Sequence, residues 1–296
     1  MADVRTGSGG TERETTPLTG RDAELRTLRA AVTRVAEGAP GAVLLTGPTG
    51  VGKTRLAREA LAVAERAGFR TFVGRARDLG HEVAYAPVVE AFGSFLRALD
   101  PRKRESLIGD LPQLALLFGG LDLAAPAPLG DPALERARLL EGLSQLIERL
   151  ARERPLALLV DDLHRADAGT AAVVRALIAA LADRSILLVL TARSDEPDGD
   201  RLALLGEHLA ACAGWVQRIA VEPLGDEDSA DLVGHVLGGP IDARLAGQVR
   251  DRCAGRPLLL EAVARTLAES GRLTERDGVL RLSAGGVPLP AEVEDQ

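Results

Sequence analysis

Apolar positions along the chain change their period more than once, and the changes outline the elements. From about Asp22, Leu25, Leu28, Val32 and Val35 recur at helical spacing until 38-GAPG-41 breaks the pattern. Val43, Leu44 and Leu45 form a short apolar run, a predicted buried strand that leads into a glycine-rich turn and a helix from about Lys53 to Arg66. A second short strand is predicted at Thr71–Val73 and a helix at Val88–Leu99. Residues 100–130, with Pro101, Pro112, Pro126 and Pro128, read as short helices and loops. Asp131-Pro132 is a helix start, with Asp as N-cap and Pro in the first turn; Leu139, Leu140, Leu143, Leu146, Ile147 and Leu150 share one face behind it, and Pro155 ends it. Two apolar runs with polar ends follow, 156-LALLVDD-162 and 186-ILLVLTAR-193, separated by a helix carrying Val173, Val174, Leu177, Ile178 and Leu181. A last strand is predicted over Val216–Val221.

Buried strands alternating with helices predict an α/β fold, a doubly wound parallel sheet. After Pro223 the pattern becomes helical, roughly 225–237, 241–253 and 257–270, and 273-LTERDGVLRLS-283 predicts a hairpin about Asp277-Gly278. Residues 1–16 are polar and Gly/Ser/Thr-rich, a predicted disordered leader. The expected organisation is thus a leader (1–16), an α/β core (17–223), a helical domain (224–272) and the start of a further domain or a tail (273–296).

Composition narrows the classes. Of 296 residues 46% are hydrophobic but only 2% aromatic, so Leu, Val, Ile and Ala must build the core. The net charge of −7 contains no basic block, which argues against nucleic-acid binding by this segment. Cys212 and Cys253 match no metal-ligand or disulfide spacing, and the cytoplasm is the expected compartment. No apolar run reaches the length of a membrane span, and no apolar signal region opens the chain.

Lysine occurs only at 53 and 103, and Lys53 stands in a turn that matches G-x-x-x-x-G-K-[ST]. In that pattern glycines let backbone N–H groups turn toward phosphate oxygens, and the next helix presents its positive end. The nucleotide-binding stretch is Gly47, Pro48, Thr49, Gly50, Val51, Gly52, Lys53, Thr54 and the adjacent Arg55. Lys53 supplies a charge to the β- and γ-phosphates and Thr54 a hydroxyl to Mg²⁺. Asp161 and Asp162 close a strand at the carboxyl edge of the sheet, where open α/β sheets bind ligands. Asp161 is the expected metal residue, acting through water, and Asp162 the group that orients or deprotonates the attacking water. Aspartate at 162 is one methylene shorter than the glutamate of fast ATPases, so turnover is expected to be slow. Arg193 closes the next strand and is the expected γ-phosphate sensor. His164 and Asp167 lie on the loop after the metal aspartate; His164 is placed to hydrogen-bond near the site, although a loop histidine is more often simply solvated. His81, His208 and His235 cluster with nothing, and Tyr85 and Trp215 read as packing residues.

Taken together, 17-PLTGRDAEL-25, GPTGVGKT, LALLVDDLHRAD, ILLVLTAR and 255-GRPLLLEAV-263 resemble the ATPase domain of STAND-type P-loop proteins, above all the large ATP-binding regulators of the LuxR family. The resemblance runs from about residue 17 to the end. It implies the additional-strand P-loop fold with sheet order 51432 and a small helical lid, and ATP or ADP with Mg²⁺ as cofactors. It also implies Gly20 and Arg21 near the base or ribose, and Pro257 near the adenine or its phosphates. Read from the residues alone, Gly255-Arg256-Pro257 is equally a helix stop and restart. The sequence departs from the family at Arg165, where an aromatic is common, and at Arg256, where asparagine is common. Such regulators are far longer, with sensor and DNA-binding domains, whereas no segment here reads as a DNA-recognition helix. The expected function is a nucleotide-operated switch, with ATP-Mg²⁺ held between core and lid and an output of self-association or a regulatory protein partner. The alternatives are a ring-forming AAA+ or origin-recognition-like ATPase, and a non-hydrolysing module glued by ADP.

Overall fold

The computed structural model describes residues 16–77, 85–121, 123–180, 185–194, 216–283 and 286–287. Expectations for the leader before Thr16, for His81, Leu181, His208, Cys212 and Trp215, and for the tail beyond Val287 lie outside the described residues. The chain divides into two compact units, Asp22–Glu222 and a second formed by Pro223–Gln296 with Met1–Arg21.

The larger unit alternates strands and helices: α1 Asp22–Ala36, β1 Gly41–Gly47, α2 Lys53–Arg66, β2 Arg70–Arg75, α3 Ala86–Ala98, α4 Pro101–Ile108, α5 Pro132–Glu153, β3 Leu156–Asp161, α6 Ala168–Ala180, β4 Ile186–Arg193 and β5 Val216–Ala220. Short 3₁₀ turns stand at Pro112–Leu116 and Leu163–Arg165. The five strands form one sheet in the order β2-β3-β4-β1-β5, and every pairing is parallel. This is the 51432 order read from the opposite edge.

Local chemistry explains the elements. Parallel strands covered by helices on both faces need continuous apolar runs, and all six residues of β3 and seven of the eight in β4 are buried. In α2 the buried face is Leu56, Ala57, Ala60, Leu61 and Ala64, and its alanines let the helix lie close on the sheet. The Asp131 carboxylate accepts from the Ala133 N–H at 2.8 Å, with Pro132 in the first turn, so the predicted cap is formed. Leu143, Leu146, Ile147 and Leu150 carry the apolar stripe of α5 into the core; burying such a side chain fully contributes roughly 1.5–3 kcal/mol. Phe72 and Phe92, two of the few aromatics, meet with ring centroids 4.5 Å apart.

Among its described residues the second unit carries α7 Asp226–Leu237, α8 Ala243–Cys253 and α9 Pro257–Glu269, and the hairpin β6 Leu273–Arg276 with β7 Val279–Leu282. Its core is Leu232, Val233, Leu245, Val249, Cys253, Leu260, Val263 and Leu267. Both turn residues of the hairpin, Asp277 and Gly278, have positive φ, 56° and 73°, the geometry that the Asp-Gly pair favours. Gly20, at φ +68°, packs so closely on α7 that a Cβ there would stand 2.4 Å from the Asp228 carboxyl group.

Candidate functional site

Register brings the chemistry to one edge of the sheet. Gly47 at the end of β1 pairs with Arg193 at the end of β4, and Arg75 at the end of β2 pairs with Asp161 at the end of β3. Beyond β1 the chain turns through Gly47, Gly50 and Gly52, with φ of +156°, +76° and +103°. At Gly47 a Cβ would also meet the Val221 carbonyl oxygen at 2.3 Å. Gly52 is the left-handed N-cap of α2, and Lys53 opens the helix. A helix start behind a glycine turn offers unpaired N–H groups and a positive dipole end, a ready anion site.

Lys53 is only 7% exposed. Its Nζ donates to the carbonyl oxygens of Gly47 and Pro48, both at 2.8 Å. The ammonium therefore folds back over its own loop, where backbone oxygens solvate it.

Asp161 is 1% exposed and is the centre of the acidic side. Its Oδ1 accepts from Thr54 Oγ1 at 2.9 Å and from Thr191 Oγ1 at 2.7 Å. Its Oδ2 accepts from Arg75 Nε at 3.1 Å and Nη2 at 2.9 Å. Burial alone would push this carboxyl up. Hydrogen bonds from Thr191, Arg75 and Thr54, with the Arg75 charge, outweigh it and hold the group below the ordinary carboxylate range. Asp162 adopts the left-handed conformation, φ 58° and ψ 43°, which aspartate tolerates better than most residues. Its N–H donates to Thr191 Oγ1 at 2.9 Å, its side chain remains 31% exposed, and its Oδ2 lies 4.0 Å from Arg75 Nε.

The larger unit thus brings Gly47–Thr54, Asp161, Asp162 and Arg193 to one edge, with the partly buried Arg55 in the first turn of α2. Gly20, Arg21 and Pro257 belong to the other unit: Arg21 is 5% exposed and Pro257 opens α9. Of the two expectations for His164 the structure has the hydrogen bond near the site, not the solvated loop side chain. His164 is 4% exposed, because the 3₁₀ turn folds it under the end of β4, where its Nδ1 accepts from the Arg193 N–H at 3.3 Å. Asp167 is a helix cap: it accepts from the N–H of Thr170 at 2.9 Å, its hydroxyl at 2.6 Å and the N–H of Tyr85 at 3.2 Å.

Sequence reading missed Thr191 and Arg75. A lone hydroxyl inside the apolar run of β4 was the signal for Thr191. For Arg75 it was an arginine closing a strand, the same signal that picked out Arg193.

The residues fit Mg²⁺ with a nucleotide. Thr54 and Asp161 place a hydroxyl and a carboxylate within one hydrogen bond of each other, both hard oxygen donors. Among the described residues no group of three His, Cys, Asp or Glu gathers to cage a metal. Mg²⁺ needs no such cage, since it commonly takes one or two protein oxygens together with waters and phosphates. The glycine turn, with positive φ at Gly50 and Gly52 ahead of the Lys53 helix start, fits the phosphates.

A parallel 51432 sheet with a glycine cradle, its lysine and a strand-end aspartate at one edge defines a P-loop nucleoside triphosphatase. Within that class the chain belongs to the AAA ATPase domain family, whose profile matches residues 17–190. Among solved structures, the Walker-type ATPase of Pyrococcus abyssi is similar at 17% identity with a TM-score of 0.53, over 86% of this chain and 69% of that one. A STAND protein of Pyrococcus horikoshii with a tetratricopeptide repeat sensor gives 17% and 0.46, over 90% of this chain and 31% of that one. The ORC2 protein of Aeropyrum pernix gives 14% and 0.49, over 87% and 65%. At 17% identity the likeness to the Pyrococcus abyssi ATPase concerns the fold alone. No curated protein matches the sequence. Among the described residues no helix is long and apolar enough to cross a membrane.

Proposed function

We propose that this chain is an ATP-binding, slowly hydrolysing switch module, the ATPase portion of a LuxR-type regulator. The observation that carries the nucleotide reading is the link from cradle to acid: Thr54, next to Lys53, donates directly to Asp161. The regulator reading rests on the motif set from 17-PLTGRDAEL-25 to 255-GRPLLLEAV-263.

In this reading the backbone N–H groups of Gly50, Val51, Gly52 and Lys53 bind phosphate oxygens. Lys53 exchanges its two loop carbonyls for the β- and γ-phosphates. Thr54 and Asp161 hold Mg²⁺, which when bound neutralises phosphate charge. Asp162 orients the attacking water and receives its proton. Its short side chain and left-handed backbone suit slow turnover, below about 1 s⁻¹, the low end of the enzyme range. Arg193, fixed beside Gly47 and braced by His164, contacts the γ-phosphate. Residues 224–272 act as the lid, Gly20, Arg21 and Pro257 add nucleotide contacts, and residues 273–296 begin a further domain or tail. The output is self-association or a regulatory protein partner.

The test is nucleotide binding and Mg²⁺-ATP turnover by the purified chain over a range of protein concentrations, beside Lys53→Ala. The expected result is slow turnover that does not depend on concentration, with affinity falling about a hundredfold in the variant as charge-assisted bonds are lost. Fast turnover that rises with concentration would replace the switch by a ring-forming motor. Tight ADP binding with no turnover would replace it by a non-hydrolysing module. No binding at all by the parent chain would sink the nucleotide reading itself.

A further inference from the structure

The Mg²⁺ carboxylate already has a cation beside it. Asp161 is buried and charged, and the hydroxyls of Thr54 and Thr191 are neutral donors that cannot balance its charge. Arg75 does so. Its guanidinium directs Nε and Nη2 at a single oxygen, Oδ2, and stands 4.0 Å from the Asp162 carboxylate as well. The approach is fixed from the backbone: Arg75 and Asp161 are register partners of adjacent parallel strands. The Ala76 N–H donates to the Asp161 carbonyl at 2.9 Å, and the Arg75 N–H donates to Glu90 Oε2 at 3.1 Å. The Arg75 side chain is nevertheless 37% exposed. Nothing forces it into a low-dielectric place for packing, so the ion pair is what sets its direction.

We propose that Arg75 is the resident counter-ion of the metal-binding carboxylate, and that it lets this chain hold a nucleotide without Mg²⁺. The proposal rests on the nucleotide reading above. Two effects act in the same direction. Without metal, the Asp161 and Asp162 charges repel an incoming polyphosphate, and the Arg75 charge offsets that repulsion. With metal, the same charge opposes Mg²⁺ and weakens its hold. Removing Arg75 therefore weakens metal-free binding and strengthens metal-dependent binding. Arg75 acts as a positioning and charge-balancing residue, and it sets how strongly nucleotide exchange depends on Mg²⁺.

The experiment is calorimetric titration of the whole chain with ADP, in excess Mg²⁺ and in EDTA, for the parent chain, Arg75→Gln and Arg75→Lys. The quantity read is the ratio of the EDTA dissociation constant to the Mg²⁺ one. It is expected to rise at least about tenfold in Arg75→Gln, the scale of one unit charge acting over several ångströms near a protein surface. Arg75→Lys, which keeps the charge but loses the fork, is expected to stay near the parent value. A ratio within about twofold of the parent in Arg75→Gln overturns the proposal, as does an equal rise in Arg75→Lys. If Arg75→Gln does not fold, the parent chain alone decides: ADP binding in EDTA within about tenfold of that in Mg²⁺ supports the proposal, and a greater loss overturns it. A parent chain that binds ADP under neither condition fails the nucleotide reading, a result distinct from binding with an unchanged ratio.

Discussion

The two ends of β2 carry the same residue type in different settings. Arg70 opens the strand and Arg75 closes it. Arg70 donates to Glu153 at 2.8 Å, a carboxylate whose side chain is 58% exposed, and lies 5.0 Å from the centroid of the Phe95 ring. Arg75 donates to Asp161, whose side chain is 2% exposed. Water can solvate Glu153 if its arginine leaves, so that pair is worth little. Asp161 has little access to water, so its charge depends on the protein groups around it. What separates the two arginines on this strand is the burial of the partner carboxylate. In the proposed function the amino edge of the sheet is an ordinary surface, and the carboxyl edge keeps charges poised for a ligand.

If that contrast is right, the carboxyl end of β2 should be the intolerant one. The largest effect is expected at Gly74. A Cβ there would stand 2.0 Å from the Pro87 carbonyl oxygen, in the first turn of α3. Gly74→Ala must push strand and helix apart, at a cost of about 2–4 kcal/mol in urea unfolding. A change below about 0.5 kcal/mol would mean that the close approach does not constrain the strand.

The next effect is at Asp161 and has a pH signature. Its folded-state pKa is depressed, so its charged contacts stabilise the fold above the unfolded carboxylate pKa of about 3.9. That contribution is lost as pH falls through the lower folded value. Asp161→Asn has no such titration. Its deficit at pH 7, about 1–2 kcal/mol as charge-assisted hydrogen bonds weaken, should shrink as pH falls below about 4. Urea unfolding between pH 3 and 7 reads this directly, and a deficit that is constant with pH would show that the Asp161 charge is not what the surrounding donors stabilise.

How much of this was legible in the sequence follows the range of each interaction. The cradle was readable because Gly47 to Thr54 are consecutive and the motif is made by local backbone. The Asp277-Gly278 hairpin and the Asp131 cap were readable for the same reason. The apolar runs predicted a parallel sheet, but its 51432 order came with the family resemblance, since periodicity says nothing of which strands are neighbours. Arg75 was missed because its partner lies 86 residues away, and only the adjacency of β2 and β3 and their register make them meet. The burial of His164 was not legible because a polar residue after a strand end looks exposed until the turn that carries it is known to fold inward.

The smallest effect tests the other side of the comparison. Arg70→Ala removes the pair with the exposed Glu153 and the contact with Phe95. The expected loss is about 1 kcal/mol, from a surface ion pair and a cation–π contact. Glu153→Gln should lose less than about 0.5 kcal/mol, and salt should screen that share alone. Neither substitution should alter ADP affinity or its dependence on Mg²⁺, because both lie at the amino edge, a strand's length from Asp161. If Arg70→Ala did shift the Mg²⁺ ratio as far as Arg75→Gln, the general charge of β2 would govern metal dependence. The place of Arg75 beside a buried carboxylate would then lose its special role.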